Sequence, residues 1–113
     1  MTDREYQNEL KRDQLPWLLS KSFQGSAIVS CFQGEKISED FWLKINGSIR
    51  QKGNINQMIF SISEQISFLS GMLPLLEGDL IFTGTPSGVA PIKNGDKLEL
   101  GYGEKTIHSL TVK

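Results

Sequence analysis

Residues 78–88 restrict what this chain can fold into more than any other stretch. They read Gly-Asp-Leu-Ile-Phe-Thr-Gly-Thr-Pro-Ser-Gly, so a run of β-favouring residues at 80–83 ends abruptly in small residues. Gly84 and Gly88 can adopt backbone angles that other residues avoid, and Pro86 fixes its own φ. The stretch therefore predicts a buried strand followed at once by a tight turn.

The turn after this strand has two interpretations. A turn rich in glycine and threonine can present backbone N–H groups and hydroxyls to a small anion. A plain hairpin or bulge turn is the alternative. Composition alone favours this second interpretation, because the stretch lacks a full phosphate-loop pattern.

Composition and charge exclude several classes of function. The formal net charge of the 113 residues is −1, and Lys and Arg are scattered, so we expect no binding to nucleic acid or to a membrane surface. Cys31 and His108 are the single residues of their types, which excludes an intrachain disulfide and a Cys/His zinc site. No apolar run is long enough to cross a bilayer, and the polar start is unlike a signal peptide, so a cytoplasmic protein is expected.

The N-terminal third is predicted to hold a short helix and a strand. Residues 2–13 form the helix, with Thr2 and Glu5 as a capping box, and 27–32 form the strand. Lys21 lies among apolar neighbours. Its stem can pack while its ammonium reaches water, as the residues alone favour, or it is a partly desolvated cation for an anionic substrate.

The rest of the chain predicts hairpins and one more helix. Residues 41–51 read as a β-hairpin around Asn46-Gly47, the dipeptide of a type I′ turn, and we interpret it as scaffold. Its buried face is predicted to comprise Leu43, Ile45 and Ile49. A second helix begins with a capping box of Ser61 and Glu64. Strands at 97–100 and 106–112 complete an α+β or mostly-β domain.

Three blocks, in order along the chain, have a family resemblance. The first is Met-Thr-Asp-Arg-Glu-Tyr-Gln at 1–7 with Leu-Pro-Trp-Leu-Leu-Ser-Lys-Ser-Phe at 15–23. The second covers 42–51 and 56–62, and the third covers 78–89, with Gly-Asp at 95–96 after it. Together they resemble the fumarylacetoacetate hydrolase family, in its acylpyruvate hydrolase and oxaloacetate decarboxylase branch.

The resemblance implies a fold and an activity. The fold would be α+β, a mixed and mostly antiparallel β-roll or sandwich with short helices. The activity would be that of a hydrolase or lyase that cleaves C–C bonds of small 2-oxo acids, such as acylpyruvates or fumarylacetoacetate-like diketo acids, or that decarboxylates oxaloacetate. Family members hold a divalent cation, usually Mg²⁺, with a Glu-x-Glu pair and a later Asp, and the cation stabilises an enolate. They commonly form homodimers.

The resemblance also implies roles for five residues of this chain. Lys21 would be catalytic and would help neutralise the enolate charge. Arg4 and Gln7 would face the substrate pocket. Thr85 would contact the substrate carboxylate, and Gly84 would present its backbone to the substrate.

The metal-binding carboxylates of the family have no counterpart here. The family's metal-binding Asp directly precedes the Met-Thr pair that is Met1-Thr2 here, and the Glu-x-Glu pair and a water-activating lid helix lie further upstream. Glu35 and Glu39 lie in a polar loop that does not match. The resemblance therefore implies that residues 1–113 form a single, partial catalytic domain without its metal-binding half and without a metal ligand.

Two functions remain open at this point. The chain is a truncated magnesium-dependent enzyme with little activity alone, or a non-catalytic remnant that binds a small anion or pairs with another subunit. The pairing alternative follows from sheet edges that a missing half would leave uncovered.

Overall fold

The computed structural model describes residues 1–29 and 38–113, which divide into two units, Met1–Cys31 and Phe32–Lys113. The first unit contains helix α1 (Arg4–Arg12) and a 3₁₀ turn (Leu18–Ser20). The second contains strands β1 (Phe41–Ile45), β2 (Ser48–Gly53), β3 (Lys97–Tyr102) and β4 (Lys105–Thr111), a 3₁₀ turn (Ile55–Gln57) and helix α2 (Ile62–Ser70).

Helix α1 begins later than predicted, and a different residue caps it. The Asp3 carboxylate accepts a hydrogen bond from the Tyr6 backbone N–H at 3.0 Å, so the predicted Thr2 and Glu5 capping box is wrong. A carboxylate at this position also interacts favourably with the positive end of the helix dipole. The Thr2 hydroxyl is free of the cap and instead accepts a hydrogen bond from Lys21 Nζ.

The second unit is built on one antiparallel sheet in the order β2-β1-β3-β4. Ile45 of β1 faces Leu98 of β3, and both side chains are buried, at 7% and 6% exposure. A four-stranded antiparallel sheet with two short helices in the chain confirms the predicted α+β fold class. Among the described residues, no helix is long and apolar enough to span a membrane.

The predicted hairpin is confirmed, but its faces differ from the prediction. Asn46 and Gly47 have φ values of 51° and 79°, as a type I′ turn requires. Ile49 faces Lys44 across the strand pair and is 57% exposed, so it does not share the face of Leu43 and Ile45. The reason is that cross-strand partners point to the same side of a sheet.

A β-bulge at Arg50 changes the direction of the next side chain. Lys44 pairs with Ile49 and Leu43 pairs with Gln51, so Arg50 is the extra residue. The bulge therefore places Gln51 on the same face as Leu43. Without it, the alternation of side chains would place Gln51 on the opposite face.

Two predicted strands are not observed in the described residues. Residues 27–29 form no strand, and the remainder of the predicted strand, 30–32, lies outside the described residues. Residues 80–83 also form no strand, and Leu80 and Phe82 are 65% and 67% exposed. β-propensity largely reflects the fit of a side chain to a half-buried surface, and no such surface among residues 1–29 and 38–113 covers these two side chains.

The capping box of α2 is confirmed. Ser61 Oγ accepts from the Glu64 backbone N–H, and the Glu64 carboxylate accepts from the Ser61 N–H at 2.7 Å. The helix ends at Ser70 with Gly71 as its C-cap. Residues 71–96 then contain neither helix nor strand before β3 begins.

Candidate functional site

The glycine-rich turn is held against β2. Gln51 Nε2 donates hydrogen bonds to Thr85 Oγ1 and to the Pro86 carbonyl oxygen, both at 2.8 Å. Gly88 has a φ of 99°, and a Cβ there would lie 1.9 Å from the Arg50 carbonyl oxygen. The bulged strand therefore fixes the position of the turn through one side chain and one close backbone contact.

Gln51 is a site residue that the sequence interpretation missed. It lies in the hairpin that was assigned to scaffold, 34 positions from Thr85 in the chain. A possible signal was its place in the second block of resemblance, directly after the hairpin turn. Nothing local in the sequence indicates which face of the strand it occupies, because that depends on the bulge.

The Gln51 contact determines what the Thr85 hydroxyl can do. A threonine hydroxyl has one proton and two lone pairs. Because Thr85 Oγ1 accepts from Gln51, its own proton remains available for donation to another acceptor. The arrangement thus suits a hydroxyl that donates to a carboxylate oxygen.

A groove of about 490 Å³ in the second unit borders this turn. Thr83, Gly84, Thr85 and Pro86 line one part of it. Its other part contains the apolar residues Phe41, Ile55, Met58, Ile59, Phe60 and Ile62, together with Gly53 and the amides of Asn54, Gln57 and Gln65. A Cβ at Gly84, whose φ is 107°, would meet no atom within 4 Å, so the space beside that residue is open.

In the first unit, Arg4 and Gln7 contact each other. Arg4 Nη1 donates to Gln7 Oε1 at 2.6 Å, and the Gln7 side chain is buried at 1% exposure, whereas Arg4 is exposed. A buried amide that accepts from an exposed guanidinium restricts where the cation can lie. Gln7 thus holds Arg4 in place.

Lys21 contacts the segment just before helix α1. Its Nζ donates to Thr2 Oγ1 at 2.8 Å, and the adjacent Ser20 carbonyl accepts from the Asp3 N–H at 3.0 Å. The side chain of Lys21 is exposed, so the structure does not support its interpretation as a desolvated cation. The structure brings Arg4, Gln7 and Lys21 into one unit, and Gly84 and Thr85 into the other.

A second cavity, of about 510 Å³, lies on the other face of the sheet beside Trp42 and Lys44. Asp40 lines it, and its carboxylate accepts from Asn54 Nδ2 at 2.8 Å and pairs with Lys52 Nζ at 2.9 Å. The hydrogen bond from Asn54, followed by the contact with Lys52, lowers the pKa of Asp40. This carboxylate is therefore already paired with a cation from the chain.

The described residues do not fit the metal centre of the family. Over 1–29 and 38–113, no three His, Cys, Asp or Glu side chains lie close enough together to hold a metal ion. Glu39 lies in the cavity beside Asp40, and Glu35 and Cys31 lie outside the described residues. No metal-dependent step can therefore be derived from this part of the chain.

Comparison with known proteins shows the family. Residues 1–112 match the family model "Fumarylacetoacetate (FAA) hydrolase C-terminal". A mitochondrial oxaloacetate tautomerase of Mus musculus is 51% identical over 106 residues, which are 89% of this chain and 48% of that protein. A mitochondrial oxaloacetate decarboxylase of Dictyostelium discoideum is 42% identical over the same length. The chain belongs to the fumarylacetoacetate hydrolase family, as its three blocks predicted.

Solved structures agree with this assignment. A protein of Yersinia pestis assigned to the same family has a TM-score of 0.89 and 38% identity, over 99% of this chain and 54% of that one. Fumarylpyruvate hydrolase of Pseudomonas aeruginosa, crystallised with Mn²⁺ and pyruvate, has a TM-score of 0.78 and 28% identity, over 99% of this chain and 50% of that one. The chain thus spans about half the length of the relatives it matches.

The comparisons overturn the cytoplasmic prediction. The matching tautomerases and the decarboxylase are named as mitochondrial proteins. Net charge and apolar content describe the folded domain, and a folded domain of this composition suits either compartment. The expectation was wrong because it used composition to decide a question of targeting.

Proposed function

We propose that this protein acts on a small 2-oxo acid, as part of a metal-dependent hydrolase or lyase that breaks the bond between C3 and C4 and so leaves an enolate of the oxo group, in mitochondria. The observation that carries the proposal is the hydroxyl of Thr85, which Gln51 leaves free to donate at the rim of an open groove. Support comes from relatives named for oxaloacetate and fumarylpyruvate chemistry.

Each site residue has a proposed role in handling substrate charge. The Thr85 hydroxyl donates to the substrate carboxylate, and Gly84 leaves room for the substrate beside its backbone. Arg4, held by Gln7, and Lys21 supply positive charge, which stabilises a carboxylate or an enolate. Gln7 is buried and engaged with Arg4, so we assign it a positioning role rather than direct contact.

The cation of the proposed reaction, Mg²⁺ or Mn²⁺, would be held by carboxylates outside the described residues. A hard dication needs several oxygen ligands, and the described residues offer no such cluster. We therefore predict that the 113-residue chain alone binds Mg²⁺ weakly and shows little turnover of acetylpyruvate or oxaloacetate. A single tight site in a calorimetric titration with MgCl₂ would contradict this prediction.

The test of the substrate assignment is a binding titration. Pyruvate is titrated into the chain and its Kd is measured by NMR chemical-shift changes. Thr85→Val keeps the shape of the side chain but removes the donor, and loss of a hydrogen bond to a charged group should weaken binding roughly ten- to hundredfold. Thr111→Val, on the exposed end of β4, is the matched control and should bind as the wild type does. Equal affinity of all three proteins would refute the role of Thr85.

The exposed apolar side chains favour a second function, pairing with another polypeptide. The buried apolar core among the described residues is limited to Leu10, Ile45 and Leu98, whereas Leu80, Phe82 and Phe68 are each more than 60% exposed. Large apolar side chains left exposed beside so small a core favour an interaction surface. A homodimer of the type common in the family would be one form of such pairing.

Analytical ultracentrifugation tests the pairing function. We expect the wild-type chain to self-associate at micromolar concentration, and the double variant Leu80→Glu with Phe82→Glu to shift toward the monomer. Leu18→Glu with Leu19→Glu, on exposed residues of the other unit, controls for the added charge. A monomeric wild type would exclude self-pairing as the function of this surface.

A further inference from the structure

We propose that Gly53 and Phe41 form a seat for Pro86, and that this Pro86 seat fixes the direction of the Thr85 hydroxyl at the groove. Both are positioning residues, because they act on Thr85 through Pro86 and need no contact with the substrate. The proposal rests on the proposed function for the identity of the ligand. The contacts that form the seat do not depend on a ligand.

Gly53 is buried, and the space beside its Cα is filled from two sides. A Cβ at this position would lie 2.9 Å from Cζ of Phe41 and 3.1 Å from Cβ of Pro86. The φ of Gly53 is outside the left-handed region, so an alanine could adopt the same backbone angles. Gly53 is therefore needed for the space it leaves and not for its backbone conformation.

The two sides of the seat come from neighbouring strands. Phe41 of β1 and Gly53 of β2 are directly opposite each other in the antiparallel pair, so they lie on the same face of the sheet. An aromatic ring that packs over a cross-strand glycine fills the gap left by the missing side chain. Pro86 packs into the remaining space, so the seat joins β1, β2 and the glycine-rich turn at one point.

Gln51 and Gly53 hold the same proline. They are two positions apart in β2, so both lie on one face of the sheet. Gln51 Nε2 donates to the carbonyl oxygen of Pro86 at 2.8 Å, whereas Gly53 receives the Cβ of the proline ring. The strand therefore holds the main chain of Pro86 with a long side chain and its ring with a missing one.

A proline held in this way also restricts the residue before it. The ring fixes the φ of Pro86 and disfavours the helical region for Thr85. A displacement of the ring therefore moves the Thr85 backbone with it. Because hydrogen bonds weaken steeply when donor and acceptor are misaligned, even a small displacement disturbs the bond from Gln51 to Thr85 and the direction of the free hydroxyl proton.

Gly101 provides a matched control on the opposite face of the sheet. It pairs with Trp42, the residue after Phe41, and a Cβ at Gly101 would lie 1.9 Å from Cζ2 of the Trp42 ring. Its φ is likewise outside the left-handed region. Gly53→Ala and Gly101→Ala thus each press a methyl group against an aromatic ring of β1, but on opposite faces.

The experiment first compares the two alanine variants by NMR without a ligand. Two hydrogen-bonded groups report on the two faces: the Gln51 side-chain amide, which donates to the turn, and the Trp42 indole N–H, which donates to the Gly103 carbonyl at 2.9 Å. Gly53→Ala should shift the Gln51 amide resonances toward those of an unbonded amide and leave the indole resonance in place. Gly101→Ala should do the reverse.

Both variants are then titrated with pyruvate. Gly53→Ala should raise the Kd roughly three- to tenfold, less than Thr85→Val does, because the hydroxyl is misdirected but still present. Gly101→Ala should bind within about twofold of the wild type, although urea denaturation should show it to be at least as destabilised. A destabilised variant that keeps its affinity separates positioning from a general loss of packing.

A Pro86→Gly background tests the route from Gly53 to Thr85. Residue 86 then has no Cβ to be displaced, so adding Gly53→Ala should change the Kd by less than about twofold. An equal factor in both backgrounds would overturn the proposal, because Gly53→Ala would then act through the sheet alone. Phe41→Leu opens the seat without adding bulk, and it should shift the Gln51 amide resonances even if Gly53→Ala does not fold.

The outcomes separate the Pro86 seat from the proposed function. If pyruvate binds and Thr85→Val weakens it, but Gly53→Ala binds as the wild type does, the seat is refuted while the proposed function stands. If pyruvate does not bind the wild type, the proposed function fails and the Gln51 amide decides about the seat. Unchanged amide resonances in Gly53→Ala would then refute the seat, and shifts that Gly101→Ala does not reproduce would support it.

Discussion

The β1–β2 hairpin and the stretch 71–96 belong to the same unit, and both contain β-favouring residues, yet only the hairpin forms strands. In the hairpin, Asn46 and Gly47 bring the two strands together, so each strand finds its partner within a few residues. The run at 80–83 pairs with no strand among the described residues, and its Leu80 and Phe82 side chains are exposed. Strand formation here depends on a paired, partly buried surface as much as on residue preference.

The two regions nevertheless meet, at the glycine-rich turn and again at Asp96, which accepts a hydrogen bond from Asn46. The bulged strand β2 contributes the Arg50 carbonyl that touches Gly88 and the Gln51 amide that holds Thr85 and Pro86. The regular region thus positions an irregular one. The first two of the following changes test how strongly β2 holds the turn, and the third tests the contact of Asp96 with the hairpin.

The largest effect is expected at Gly88. Gly88→Ala would place a methyl group 1.9 Å from the Arg50 carbonyl at a φ of 99°, so strain and clash act together. We expect a loss of about 2–4 kcal/mol in the free energy of unfolding, measured by urea denaturation. Gly84→Ala is the matched control, because its φ of 107° is equally strained but its Cβ would have open space. Equal losses for the two variants would show that the contact with β2 contributes nothing.

A smaller effect is expected at Gln51. Gln51→Ala removes both hydrogen bonds to the turn, and we expect a loss of about 1–2 kcal/mol in unfolding free energy, since each is partly exposed. Pyruvate affinity should also fall severalfold, because the Thr85 hydroxyl is no longer oriented. Gln24→Ala, at an exposed position of the other unit, controls for loss of an amide. A variant that keeps full affinity would show that the turn holds Thr85 without help from β2.

The smallest effect is a pH dependence at the beginning of β3, where the irregular stretch ends. Asp96 accepts from Asn46 Nδ2 at 2.9 Å and from the Lys93 N–H at 2.8 Å, and these bonds, the first being the larger cause, lower the pKa of its carboxyl. A lowered folded-state pKa stabilises the fold above the ordinary value of 3.8, and that contribution is lost as the pH falls through the lowered pKa.

Asp96→Asn should therefore be less stable than the wild type near neutral pH, and the difference should shrink as the pH falls below 3.8. Urea denaturation at a series of pH values measures it. Asp13→Asn, beyond the end of α1, controls for the removal of a carboxylate. A difference that stays constant down to pH 2 would contradict the assignment.

Local signals in the sequence predicted the local structure well. The Asn46-Gly47 turn and the capping box of Ser61 and Glu64 depend on residues within three positions of each other, and both are confirmed. The cap of α1 was misplaced by one residue because Thr2 and Asp3 are both good caps, and a contact with Lys21, 19 positions away, occupies Thr2. Contacts with residues distant in the chain thus decide which of two adjacent residues caps the helix.

The candidate site was only partly predictable. The glycine-rich turn was predicted because glycine and proline have strong backbone preferences that the sequence shows directly. The family resemblance assigned Thr85 to the substrate carboxylate. The groove beside it was not predicted, because its walls come from β1, the 3₁₀ turn and α2. The role of Gln51 depends on the extra residue at Arg50, and a bulge in one strand is defined only by its pairing with another.

The bulge at Arg50 limits how the length of this chain can vary between relatives. Deleting one residue between the hairpin turn and Gln51 would remove the bulge and leave Gln51 opposite Leu43 in a regular pair, whereas deleting two would place its amide on the other face, away from Thr85. An insertion in an exposed loop has no such consequence for the turn. A relative that is one residue shorter between the turn and Gln51 is therefore expected to keep the Gln51–Thr85 contact with regular pairing, whereas one that differs by two residues is expected to keep the bulge.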